Sequence, residues 1–297
     1  MLLALLLLAA PPSPFAYDRT APLDARDEVT GSTDGIEEHA ISFASPKGGR
    51  ATGFLFVPKR AGKLPAILAQ HGAPGFAAQM RNRALYLARH GAIVLTLDAP
   101  FARRDPKGMV SFDAALLRAD TIQLAIDQQR AFDLLLNRSD VDPNRLAYVG
   151  VSFGGAAGAL LAGLDHRPRA YGLVVADGGW VEHFMLDGKP VQMLAEMPAA
   201  ERDALIKAVD DVQPIHYVGK AAPGTIFFQS GTQDEFVPPS NAKRVQAAAP
   251  KPLIKWYESG HRLPPAAAVD QLQWLHEKIG TDPPVPADAQ GIAPTRP

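Results

Sequence analysis

No cysteine occurs anywhere in this chain of 297 residues. That absence removes structural disulfides, a thiolate nucleophile, cysteine-ligated zinc and a lipid-anchoring N-terminal cysteine. An excess of either charge is also lacking: 30 Lys and Arg stand against 31 Asp and Glu, a formal net charge of −1. The chain therefore offers no electrostatic reason to expect nucleic acid or an anionic membrane as partner. It contains neither a P-loop nor a dinucleotide fingerprint, and no histidine–carboxylate cluster has metal-ligand spacing. No metal and no cofactor is expected. The N-terminal apolar run, residues 2–10, is too short to span a bilayer. As a helix it measures about 14 Å, against a hydrocarbon core of roughly 30 Å. It resembles the apolar region of a secretory signal, although no Lys or Arg precedes it and no A-x-A site follows. A signal peptide over residues 1–16 is expected, cleaved near Ala10 or Ala16. The product would be periplasmic or secreted, with no stable membrane insertion after processing; without a functional signal it would be cytoplasmic.

What is present is apolar residue in quantity, 47% of the chain, ample for a sizeable core. "HAISFAS" and "ATGFLFVP", split by "PKGGR", predict an antiparallel hairpin at a sheet edge. From Pro65 the pattern changes. "PAILAQ", "AIVLTLDAP", "RLAYVGV", "YGLVVAD", "TIFFQSG" and "LIKWYESG" are short apolar runs without strict alternation, as in parallel strands buried on both faces. Helical spacing runs between them, over about 112–138 and again through Val269, Leu272, Leu275 and Ile279. Alternating strands and helices give an α/β fold, a mostly parallel central sheet with helices on both faces. A single domain over 30–282 is expected, followed by a proline-rich, disordered tail over 283–297. Residues 180–213 break the alternation and predict one or two short helices without a strand, inserted at the carboxyl edge where such sheets bind ligands. Trp180, Phe184 and Met185 in this small cap are candidate substrate-binding residues.

"YVGVSFGG", residues 148–155, follows one of the apolar runs and fits G-x-S-x-G, the nucleophile elbow. Glycines suit the turn because side chains there would collide with the packed strand and helix. A serine hydroxyl needs a base, a group that orients the base, and donors for the oxyanion. Among eight histidines, His261 in "YESGHRLP" lies just beyond the last predicted strand, at the same edge as Ser152. Asp234 in "GTQDEFVPPS" sits in a turn after a strand and is the expected acid, with Asp177 in "VVADGG" as its rival. Arg103 and Arg104 follow another strand and are candidates to attract a substrate carboxylate.

The order Ser152, Asp234, His261 is that of α/β-hydrolases. With "AQHGAPG" after the third strand, the chain from about His39 to Gly280 resembles that superfamily. The stretch "RADTIQLAIDQQRAFDLLLNRSDVDPNRLAYVGVSFGG" is similar to its serine esterase and dienelactone-hydrolase-like branch. Dienelactone hydrolases proper carry a cysteine nucleophile, and haloalkane dehalogenases and epoxide hydrolases an aspartate; Ser152 departs from all three. The resemblance implies an oxyanion hole made by the N–H groups of Ala73 and Phe153, with His71 shaping the loop. It also implies hydrolysis of a small-molecule carboxylic ester through an acyl-enzyme. Two alternatives share the motifs: a serine peptidase of the S9 type, disfavoured by the absence of room for a large N-terminal propeller, and a catalytically inactive binding homologue.

Overall fold

The computed structural model describes residues 13–181, 183, 185–186, 189–190 and 192–285. Nine strands form one sheet. β1 (Arg26–Thr33), β2 (Ile36–Ala44) and β3 (Arg50–Pro58) run antiparallel to their neighbours. β4 (Leu64–Gln70), β5 (Ile93–Leu97), β6 (Val141–Val151) and β7 (Ala170–Val174) are mutually parallel. The short strands β8 (Met185–Leu186) and β9 (Lys189–Pro190) form a separate hairpin, and β10 (Ile226–Gly231) and β11 (Leu253–Tyr257) complete the parallel set. The order across the large sheet is β1-β2-β3-β5-β4-β6-β7-β10-β11. Every residue of β4, β5, β7 and β10 is buried, because helices cover both faces of these central strands.

On one face, α1 (Arg81–Arg89) and α7 (Pro265–Ile279) pack Leu85, Leu272 and Leu275 against Val94, Val149 and Phe227. On the other, α2 (Ala114–Leu136), α3 (Phe153–Ala162) and α6 (Pro239–Ala248) bring Phe132, Leu161 and Val245 against Leu68, Leu95 and Phe228. A third cluster joins α2 and α3 to the crossover after β7. There Leu194 of α4 (Gln192–Glu196) and Leu205 of α5 (Ala199–Val209) meet Leu124, Leu160 and Trp180. Phe15 is buried in the same cluster, edge-on to Tyr217.

The expected hairpin is β2–β3, but it does not lie at the edge: β1 pairs beyond it. β1 reads RDEVTGST and is exposed along nearly its whole length, so no buried face imprints an alternation on it. The segment 180–213 is not purely helical either. Met185 pairs with Pro190 and Leu186 with Lys189, on either side of Asp187-Gly188 in the sequence, a dipeptide that favours two-residue hairpins. The strand before the elbow begins at Val141 instead of after Pro143; its pairing with β4 shifts register between Leu64 and Ala66, which absorbs the proline. The first 12 residues of the expected signal, and 286–297 of the expected tail, lie outside the described residues.

Candidate active site

β6 ends at Val151 and α3 begins at Phe153, leaving Ser152 alone at the bend with φ 55° and ψ −117°. Holding a non-glycine residue in such a region costs on the order of 1–3 kcal/mol, so the surroundings must enforce it. The N–H of Ser152 donates to the Val174 carbonyl at 2.8 Å, tying the bend to β7. A Cβ on Gly150 would come within 2.1 Å of the Gly154 carbonyl oxygen, and one on Gly154 within 2.4 Å of the Gln70 carbonyl oxygen. Both glycines are thus demanded by contact with backbone, which cannot step aside.

Asp234 and His261 come from loops after β10 and β11, which lie beyond β7 from the elbow strand β6 in the sheet order. His261 Nδ1 lies 2.9 Å from Asp234 Oδ2 and 3.0 Å from Oδ1. The N–H groups of Phe236 and Val237 donate to Asp234 Oδ1 at 2.9 and 2.8 Å, so the turn locks the carboxylate before it meets the imidazole. With Nδ1 engaged, Nε2 is the nitrogen left for chemistry. His261 and Ser152 line one cavity of ≈ 220 Å³, together with Gly72 and Ala73. The rival acid, Asp177, is turned to another partner: its Oδ2 lies 2.8 Å from His183 Nδ1. Burial pushes His183 toward the neutral form, but the hydrogen bond and charge of Asp177, helped by the charge of Asp234, raise its pKa overall. This second His–Asp pair has no motif in the sequence beyond a spacing of six residues.

His71 is buried and shapes the loop after β4. Its Nδ1 donates to the Gly72 carbonyl at 2.6 Å while Nε2 accepts the Ala99 N–H at 3.0 Å, an arrangement that needs the neutral tautomer. Burial lowers its pKa, in keeping with that state. Phe153, at the first position of α3, has an N–H with no intrahelical partner. Its ring lies 5.0 Å from that of Phe101 and 4.6 Å from that of Trp180.

Two of the three cap candidates fall elsewhere. Trp180 is buried behind Phe153 and, like Met185, is not among the residues lining the Ser152 cavity; Phe184 lies outside the described residues. Trp180→Ala is therefore expected to cost about 3–5 kcal/mol of stability, the usual penalty for emptying a large aromatic site. Urea unfolding checks it, and a variant as stable as the wild type would show that the ring is not packed as described. Arg103 and Arg104 are not at the cavity either. Arg103 pairs with Asp127 at 2.7 Å and Arg104 with Asp120, both carboxylates of α2.

Among the described residues, no group of three or more His, Asp or Glu could hold a metal ion, and no helix is long and apolar enough to cross a membrane. The family model of the prolyl oligopeptidase family matches residues 80–258. Among curated proteins the chain is similar to the esterase FrsA of Escherichia coli, 32% identical over 159 residues, which cover 53% of this chain and 35% of that protein. It thus spans about a third of the length of that relative. Among solved structures it is similar to an acetyl xylan esterase of Paenibacillus sp., with a TM-score of 0.71, 18% identity and coverage of 86% and 89% of the two chains. Acetyl xylan esterase 1 of Thermoanaerobacterium sp. gives 0.72, 17%, and 89% and 90%. At such identities these structures speak for the α/β-hydrolase fold.

Proposed function

This chain belongs to the prolyl oligopeptidase family, and from that premise we propose that it is a serine hydrolase cleaving carboxylic esters through an acyl-enzyme. The observation that carries the reading is the elbow serine, held at φ 55°, in one cavity with a histidine whose other nitrogen is bound to a buried aspartate. Ser152 Oγ attacks the ester carbonyl as His261 Nε2 takes its proton. Asp234 holds the imidazole in the Nδ1–H tautomer and stabilises the imidazolium that forms. The Ala73 and Phe153 N–H groups donate to the developing oxyanion, a contribution of several kcal/mol where water is excluded. His261 returns the proton to the leaving alcohol; water then attacks the acyl-serine with His261 again as base.

A peptidase is the second reading, favoured by the family match itself. Rates on para-nitrophenyl esters and on peptide nitroanilides separate the two. The ester reading expects turnover of short-chain esters and little on the amides; a preference for amides would replace it with the peptidase. For export, burial of Phe15 supports cleavage near Ala10, since cleavage after Ala16 would strip that ring from its cluster.

A further inference from the structure

Arg83 stands apart from the other arginines around the site. It projects from α1, the helix after the oxyanion loop, and lines the cavity that Ser152 and His261 share. Its Nη1 donates to Gln271 Oε1 at 2.8 Å. Gln271 in turn donates to Gln229 Oε1 at 3.0 Å, and Gln229 donates to the Tyr257 hydroxyl at 2.8 Å and the Ala267 carbonyl at 2.6 Å. A chain of buried neutral amides thus fixes the guanidinium from one side. No carboxylate among the described residues pairs with it, and none lines the cavity. Arg81, Arg103 and Arg104 each hold a carboxylate, so the difference is local to Arg83. Its Nε–H and Nη2–H, the edge of the fork that grips a carboxylate side-on, take no acceptor among the described residues. Burial brings its pKa down to about 10, which leaves it cationic at neutral pH. Arg262, next to His261, adds a second positive charge at the cavity wall, exposed to solvent.

Arg83 is half-buried, and a cation partly withdrawn from water without a counter-charge is costly, so a counter-charge brought by a ligand would be held well there. We propose that the cavity takes an ester bearing a second, anionic group, a carboxylate, which Arg83 grips through its Nε–Nη2 edge while Ser152 attacks the ester carbonyl. Arg262 draws the anion toward the cavity from the rim. Gln271 and Gln229 are positioning residues that aim the guanidinium. The substrate class rests on the hydrolase reading of Ser152, and the test keeps the two apart.

Two ester pairs decide it, each with and without the anion at equal length: para-nitrophenyl hydrogen adipate against its methyl-capped ester, and para-acetoxybenzoate against methyl para-acetoxybenzoate. The wild type should prefer the carboxylate-bearing member of at least one pair in kcat/KM. Arg83→Gln should reduce that preference about 10- to 100-fold, as loss of hydrogen bonds to a charged group does. Arg83→Lys, which keeps the charge and loses the fork, should fall between. No preference in either pair, or one unchanged in Arg83→Gln, overturns the proposal. If Arg83→Gln does not fold, the Lys variant decides alone: its preference must fall below the wild type's. Calorimetric titration of monomethyl adipate into Ser152→Ala needs no turnover. Binding there that Arg83→Lys weakens supports the anion site even if no ester is hydrolysed; absence of binding refutes it even if neutral esters are.

Discussion

Replacing Ser152 by alanine, or His261 by alanine, is expected to lower ester turnover by about 10⁴-fold or more, because members of such a unit fail together. Neither change should unfold the protein. Ser152 contributes its backbone, not its hydroxyl, to the bend: the N–H to Val174 and the carbonyl to Ala156 remain in the alanine variant. His261 is half-buried at the cavity wall, and its loss leaves the Asp234 carboxylate held by the Phe236 and Val237 N–H groups. Thermal unfolding close to wild type with activity gone is the expected pair of results. A folded variant retaining a tenth of the activity would remove that residue from the chemistry.

Asp234→Asn should lower kcat by about 10³- to 10⁴-fold, since an amide can donate to Nδ1 and so favours the wrong imidazole tautomer. Asp177→Asn should cost far less. Asp177 meets His183, not His261, so its amide leaves the Ser152–His261 relation intact. Steady-state rates of the two variants, both folded, give the ranking; the reverse order would move the orienting acid to the loop after β7.

The sheet was legible because it rests on local patterns, and the sequence signals that single out Ser152, Asp234 and His261 are local as well. Strands buried on two faces must be continuous apolar runs, and β4, β5, β7 and β10 are such runs. The elbow needs glycine where backbone passes within 2.1–2.4 Å of a Cβ position, and Gly150 and Gly154 record that need in the sequence. Asp234 and His261 stand out because each follows a strand at the carboxyl edge of the sheet, as Ser152 does. What escaped was set by contacts distant in sequence. β1 has no core-facing side to betray it. Trp180 looked like cap surface, yet a third cluster formed by α2, α3 and α5 encloses it behind Phe153. Arg103 and Arg104 looked free until α2 brought Asp127 and Asp120 against them. Arg83 and Gln271 meet across 188 residues of chain, so no spacing announces them.

The central claim is that Ser152 is a nucleophile activated by His261. Labelling with a fluorophosphonate, followed by mass mapping of the modified peptide, tests it most directly, because phosphonylation needs the attacking hydroxyl and no particular acyl group. One adduct per chain is expected, on Ser152, absent in Ser152→Ala and formed much more slowly in His261→Ala. An adduct on another residue, or none on the folded wild type, would contradict the account.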